Sequence, residues 1–256
     1  MRGPLLAFVE ARLREDWSPQ QISGWLRHRQ NGLPRISHER IYQHVWRDKF
    51  DGGTLHSHLR HRGRRYWRRG SVYERRGRIP GRVDIDLRPA IVEAKARVGD
   101  WELDTIVGPM GLRGALVSMV DRCSKLVRLS LVPSRQATLV ADAIATRLGE
   151  HPERVLTLTM DNGLEFARHR NFGAALGADT YFAKPYQSWQ RGLNEHSNGL
   201  VRQYFPKATD FSTVTAEDVR RVELLLNSRP RAALGYFTPL EVFHGTSAKP
   251  SVALAS

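Results

Sequence analysis

Apolar residues recur at helical spacing through the first fifty positions. Leu5, Leu6, Phe8, Val9 and Leu13 mark one helix. Ser18-Pro19-Gln20-Gln21 reads as a second helix start, with Ser18 as N-cap, Pro19 at the first helical position and Gln21 completing a capping box. Ile22, Trp25 and Leu26 then face inward. Asn31, Gly32 and Pro34 interrupt the pattern, and Ser37 caps a third helix with Ile41, Tyr42, Val45 and Trp46 on its apolar side. Its other side shows His38, Arg40, Gln43, His44 and Arg47. Such a triplet fits a helix-turn-helix whose third helix enters the major groove, and equally an ordinary small bundle. Past residue 100 the pattern changes. Trp101–Val107, Gly114–Asp121 and Leu126–Val132 predict three successive strands, and Ala137–Leu148 a helix. Val155–Thr159 predicts a short strand that ends at Met160-Asp161-Asn162-Gly163. A helix near 165–176, a strand at 180–182 and helices at about 190–204 and 215–227 complete a mixed α/β order.

Composition adds a partner to this picture. The 256 residues carry a formal net charge of +14, from 40 Lys+Arg against 26 Asp+Glu, and 34 of the cations are Arg. A pI near 10.6 points to a polyanion, most often nucleic acid. A GC-rich coding sequence also enriches Arg, but it does not account for the positive sign. Ten arginines fall within residues 60–82, interleaved with Tyr66, Trp67 and Tyr73 and opposed by Glu74 and little else. This stretch reads as a basic arm, with Arg64, Arg65, Arg68 and Arg69 as phosphate contacts. The expected division is 1–53 helical and helix-turn-helix-like, 54–94 arm or linker, 95–248 catalytic, and 249–256 tail.

The same arithmetic excludes several classes. A hydrophobic fraction of 41% builds a core and excludes a wholly disordered chain. A mean hydropathy of -0.45 and no apolar run of spanning length exclude a membrane helix. Glu10 cuts short the apolar run Gly3–Val9, excluding a secretory signal. Cys123 is the single cysteine, so no internal disulfide or cysteine-pair zinc site can form. A cytoplasmic, nucleoid-associated protein is expected.

Three carboxylates stand out by position. Asp104 lies within the first strand, Asp161 just past the fourth, and Glu195 at the opening of a later helix, with 56 and 33 residues between them. Acids at strand ends and on a facing helix can gather in one cleft as hard oxygen ligands for Mg²⁺ or Mn²⁺, and two such ions suit in-line phosphoryl displacement. On spacing alone each also reads as a surface residue or helix cap. Asp121 reads as a strand-end cap or a fourth acid, while Asp100 and Glu102 share a strand face with Asp104. Asn162-Gly163 reads as a turn or as a place where DNA approaches closely. His56, His58 and His61, without cysteines or acids nearby, read as part of the DNA-facing arm. Trp189, Gln190, Arg191 and Lys207 are candidate DNA contacts, and Arg202, seven residues past Glu195, is a candidate for the same groove.

The stretches WSPQQISGWL, ISHERIYQHVW, GDWELDTIVG, LTMDNGLEFARH, YFAKPYQSWQRGLNEHSNGLVRQYFPKATDF, LNSRPR and LGYFTPLEVF, which together span 17–243, resemble the insertion-sequence-thirty family of transposases. The resemblance implies an RNase H-like, retroviral-integrase-like catalytic core with a mixed five-stranded sheet flanked by helices. It maps the family's Asp, Asp and Glu triad onto Asp104, Asp161 and Glu195. It also implies Mg²⁺ or Mn²⁺, DNA cleavage and strand transfer on insertion-sequence ends and target DNA, and a homo-oligomer in the working complex. Sixteen residues precede Trp17, so the family's additional N-terminal helix-turn-helix segment is expected to be missing. Asp100 and Leu103 stand where His and Gly are common, and Leu193 and His196 replace the usual neighbours of the glutamate. The alternative is a catalytically impaired or repurposed DNA-binding transposase fragment.

Overall fold

Local chemistry starts the helices where expected. The computed structural model describes residues 3–29, 32–60, 79–184 and 192–245. Arg64, Arg65, Arg68, Arg69 and His61 of the arm, and Trp189, Gln190 and Arg191, lie outside the described residues. Helix α1 runs Gly3–Arg14, α2 Pro19–His28 and α3 His38–Phe50. Ser18 Oγ accepts from Gln21 N while Gln21 Oε1 accepts from Ser18 N, so the capping box is formed. Ser37 Oγ accepts from Arg40 N at the head of α3. Val9, Leu13, Trp17, Ile22, Ile41 and Val45 close a small apolar core.

The described chain forms two compact units, and the first is not contiguous: residues 228–245 belong with the N-terminal helices. The catalytic region had been expected to run through 248. Its last stretch is drawn to the helical unit by specific partners. Gln21 Nε2 donates to Pro230 O at 2.9 Å, and Arg29 pairs with Glu241 at 2.7 Å. Arg29 also sits 4.3 Å over the Phe237 ring. Helix α9 (Pro239–His244) opens with a second capping box, Thr238 with Glu241. Leu55 and Leu59 are buried in the same core, and His58 Nδ1 meets Asp16 Oδ1 at 2.8 Å. His56 and His58 therefore belong to the helical unit, where the leucines beside them are apolar anchors.

The second unit is the α/β part. Its strands are β1 (Asp100–Val107), β2 (Ala115–Asp121), β3 (Val127–Val132), β4 (Thr157–Met160) and β5 (Asp179–Phe182). The sheet order is β3-β2-β1-β4-β5, antiparallel among the first three and parallel from β1 to β4 to β5. The helices are α4 (Ala90–Glu93), α5 (Ala137–Leu148), α6 (His169–Leu176), α7 (Gly192–Val201) and α8 (Ala216–Asn227). This is the mixed five-stranded α/β sheet with flanking helices that the sequence led one to expect. β4 starts two residues later than predicted, because the Leu156 and Thr157 N–H groups both go to the Gly99 carbonyl. The helix predicted at 165–176 splits into a 3-10 turn, Leu164–Phe166, and α6, which ends on Gly177 at φ 62°.

One face of the sheet is buried under α7 and α8, where Ile106, Leu116, Val120 and Leu129 meet Leu200, Val201, Val222 and Leu226. α8 also covers the open edge of β3: Asn227 bonds both backbone groups of Val127, and Glu223 Oε2 accepts from Leu129 N at 2.8 Å. No helix of the described residues is long and apolar enough to cross a membrane.

Candidate active site

Side chains alternate along β1, so Asp100, Glu102, Asp104 and Ile106 share the face beneath α7. The polar members are not equivalent. Asp100 is held by Arg97 at 3.0 Å and by Thr157 Oγ1 at 2.8 Å. Glu102 forms a buried ion pair with Arg122, whose Nη2 reaches Glu93 at 3.0 Å and whose Nε donates to Val92 O. Buried charges persist only when paired in this way. Arg88 donates to Thr159 Oγ1 at 2.8 Å, and burial together with nearby Arg122 brings its guanidinium down to about 10. Asp121 is a turn cap: it accepts from Gly99 N, Cys123 N, Ser124 N and Ser124 Oγ, while burial pushes its carboxyl up. Asp100, Glu102 and Asp121 are thus occupied within the fold.

Asp104 lies further along β1, opposite Ser118 of β2. Its Oδ1 accepts from Thr105 N at 2.9 Å and its Oδ2 from Asn198 Nδ2 of α7 at 2.7 Å. The parallel register pairs Glu102 with Thr159. Asp104 and Asp161 each follow that pair by two residues, Asp161 lying just past the end of β4. Asp161 Oδ1 caps its own turn through Gly163 N at 2.8 Å. Glu195 sits exposed in the first turn of α7, three residues before Asn198. The fold puts Asp104 within β1 and Asp161 just past the neighbouring β4, and ties the helix bearing Glu195 to Asp104. Among the described residues, however, no three His, Cys, Asp or Glu side chains lie close enough together to hold an ion.

Sequence reasoning missed Glu165. Its Oε1 accepts from Thr105 Oγ1 at 2.8 Å, and Arg135 lies 3.8 Å away. A Cβ on Gly163 would fall 2.6 Å from Glu165 Oε2 and 2.9 Å from Asp161 Oδ1. Gly163 is therefore the gap between two carboxylates, besides forming a turn. The signal was the acid four residues after Asp161. Asn162 is buried, donating to Ala183 O at 2.8 Å and accepting from Arg82 at 2.5 Å. Arg82, the last arginine of the basic stretch, thus reaches the residue next to Asp161.

Of the remaining candidates, Arg40, Gln43 and Arg47 lie on the outer face of α3, lining a groove with His44, Asp48 and Asp51. Arg40 Nη1 donates to Gln43 Oε1 at 3.2 Å, and Arg47 lies 3.9 Å from Asp51. Lys207 is exposed. Arg202, one residue past the end of α7, is a brace: it donates to the carbonyls of Val107, Phe205 and Pro206. Cys123 is a buried core residue.

No family model matches the chain. It is 47% identical over 244 residues to the transposase for insertion sequence element IS4351 of Bacteroides fragilis, covering 95% of this chain and 74% of that protein. It is 37% identical over 259 residues to the transposase for IS1086 of Cupriavidus metallidurans, covering 97% and 75%. Against the transposase InsI for IS30A of Escherichia coli the identity is 35% over 254 residues, covering 93% and 64%. Among solved structures, the catalytic core domain of BIV integrase aligns with a TM-score of 0.47 and 24% identity over 59% of this chain and 96% of that one. With identity well above the level of chance across most of both partners in the first two comparisons, the chain belongs to the IS30 family of insertion-sequence transposases.

Proposed function

We propose that the chain is a divalent-metal-dependent transposase of the Asp-Asp-Glu type, which cleaves DNA at the ends of an insertion sequence and joins the freed 3′ ends to a target. The observation that carries this reading is the parallel pairing of β1 with β4, whose last paired residues, Glu102 and Thr159, stand two positions before Asp104 and Asp161, with Asn198 linking Asp104 to the helix of Glu195. The donor set suits a hard cation. Asp104, Asp161 and Glu195 supply carboxylate oxygens, and the buried Oδ1 of Asn198, which grips Asp104, and Oγ of Ser118, across from it on β2, have no protein partner. Asp104, Asp161 and Glu195 would hold Mg²⁺ or Mn²⁺, which supplies Lewis acidity to the phosphodiester and lowers the pKa of the attacking hydroxyl.

The chain's own residues bring the DNA there. Arg82, half-exposed beside Asn162, offers positive charge next to the acids. Arg64, Arg65, Arg68 and Arg69 grip backbone phosphates, with Lys207 as a further contact, while Arg40, Gln43 and Arg47 of α3 read bases as the recognition helix of a helix-turn-helix. Two element ends must meet, so the working form is a homo-oligomer on DNA in the nucleoid. Positioning and charge stabilisation suffice for such displacements, with no covalent enzyme intermediate.

The test uses a supercoiled plasmid carrying the gene and its flanking DNA, with Mg²⁺ or Mn²⁺. Asp104→Asn, Asp161→Asn and Glu195→Gln are each expected to abolish cleavage and joining while DNA affinity survives, because affinity comes from arginines. A variant that still cleaves removes its residue from the catalytic set. The carboxylates' separation favours a second reading, a repurposed DNA-binding transposase; binding by the wild-type chain without cleavage under either ion would establish it.

A further inference from the structure

Helix α7 is held to β1 by more than apolar packing. Asn194 and Asn198 stand four residues apart on one helical face. Asn194 N–H donates to Glu102 Oε2 at 3.3 Å, and its Nδ2 to the Leu103 carbonyl at 3.2 Å. Asn198 Nδ2 donates to Asp104 Oδ2 at 2.7 Å. The three acceptors belong to consecutive residues of β1, and Glu102 is itself pinned by buried Arg122. At Asn198 the amide orientation is chemically forced, since only its NH₂ half can meet an ionised carboxylate. A slip of the helix by one residue turns it by about 100° and breaks all three contacts. The apolar side chains Leu200 and Val201 alone carry no such angular specificity. Glu195 lies one turn before Asn198, so its side chain leaves the helix beside the one that grips Asp104.

We propose that Asn194 and Asn198 are positioning residues, a two-rung latch that sets the angle and height of α7 over β1 and thereby the reach of Glu195 toward Asp104. The inference rests on the reading of Asp104 and Glu195 as catalytic acids. Each amide spends its NH₂ on β1 and leaves a buried oxygen without a protein partner. Asn198 further fixes the rotamer of Asp104 by holding one of its two oxygens.

Asn194→Ala, Asn198→Ala and Asn198→Gln are compared with Glu195→Gln in the full chain. Three quantities are followed: single-turnover Mn²⁺-dependent nicking of the supercoiled plasmid described above at saturating protein, affinity for the same plasmid, and Mn²⁺ binding to the protein alone by electron paramagnetic resonance. Asn198→Ala is expected to slow nicking by about tenfold to a hundredfold, to weaken Mn²⁺ binding several-fold and to leave plasmid affinity unchanged. Asn198→Gln, which keeps the NH₂ donor, is expected to regain part of both losses. Asn194→Ala is expected to slow nicking less, since its backbone contact to Glu102 survives. Wild-type nicking by both alanine variants beside an inactive Glu195→Gln overturns the latch, and so does a Gln variant no better than Ala. A Glu195→Gln protein that nicks normally overturns the acid assignment itself, and the latch with it.

Discussion

Lys125 carries two penalties at one position. Its backbone sits at φ 62°, where a non-glycine residue costs about 1 kcal/mol, and its ammonium is partly buried, donating to Arg122 O at 2.5 Å. Burial, with Lys95 nearby, lowers its pKa to about 8 from the 10.5 of the free side chain. The unfolded chain thus holds this proton more firmly than the folded one. The cost is complete below about pH 8 and disappears as pH climbs through 10.5, so this group makes stability rise across that window. Lys125→Gly removes both penalties. It is expected to stabilise the fold by about 1 kcal/mol and to raise the melting temperature by about 2–4 °C at neutral pH. It should also flatten the stability profile between pH 8 and 10.5. Thermal melts followed by circular dichroism across that range check it; an unchanged slope means the ammonium is solvated in the native state.

At the level of elements, the sharpest packing constraint lies between α2 and the returning C-terminal segment. A Cβ at Gly24 would fall 1.8 Å from the Tyr236 ring, and Tyr236 itself is held at φ 62° with His28 stacked on it at 5.0 Å. Gly24→Ala is expected to cost about 1–3 kcal/mol through overpacking, and most of that loss should vanish in a Tyr236→Gly background. A double-mutant cycle by urea unfolding measures the coupling; additive losses would mean that the ring simply moves aside. This contact also marks where sequence reading stops. Ser18, Gln21 and Ser37 were legible because capping is local chemistry, and Ala137–Leu148 because its periodicity is. The docking of 228–245 was not, because Gln21 and Pro230 are 209 residues apart and nothing local pairs them. The acids divide in the same way. That Asp104 lies within one strand and Asp161 just past another follows from hydrophobic pattern, whereas the parallel pairing of those two strands depends on a register that spacing does not encode. Glu165 escaped notice because a turn, not a periodic element, carries it back toward Asp161. Arg202 was misread because helical periodicity was carried past Val201, where α7 ends.

For the molecule as a whole, the net charge of +14 makes DNA binding a salt-dependent property. Replacing Arg64, Arg65, Arg68 and Arg69 with Gln is expected to weaken binding to an element-end duplex and to an unrelated duplex alike, and to flatten the slope of log affinity against log salt by about four. Substituting Arg40, Gln43 or Arg47 should instead change the ratio of the two affinities. Salt titrations on both duplexes separate these outcomes: an unchanged slope reduces the arm to a linker, and a uniform loss from the α3 variants makes that helix a backbone grip. The non-contiguous helical unit bears on how the protein is made. A ribosome delivers residues 228–245 only after the entire α/β unit, so the socket at Gly24 and the partner of Arg29 stay unfilled until the last stretch emerges. A message cut or frameshifted anywhere in the α/β region then yields helices that lack their closing segment. Completion of the helical unit is in this way coupled to translation through residue 245, and shorter products lack the contacts that close it.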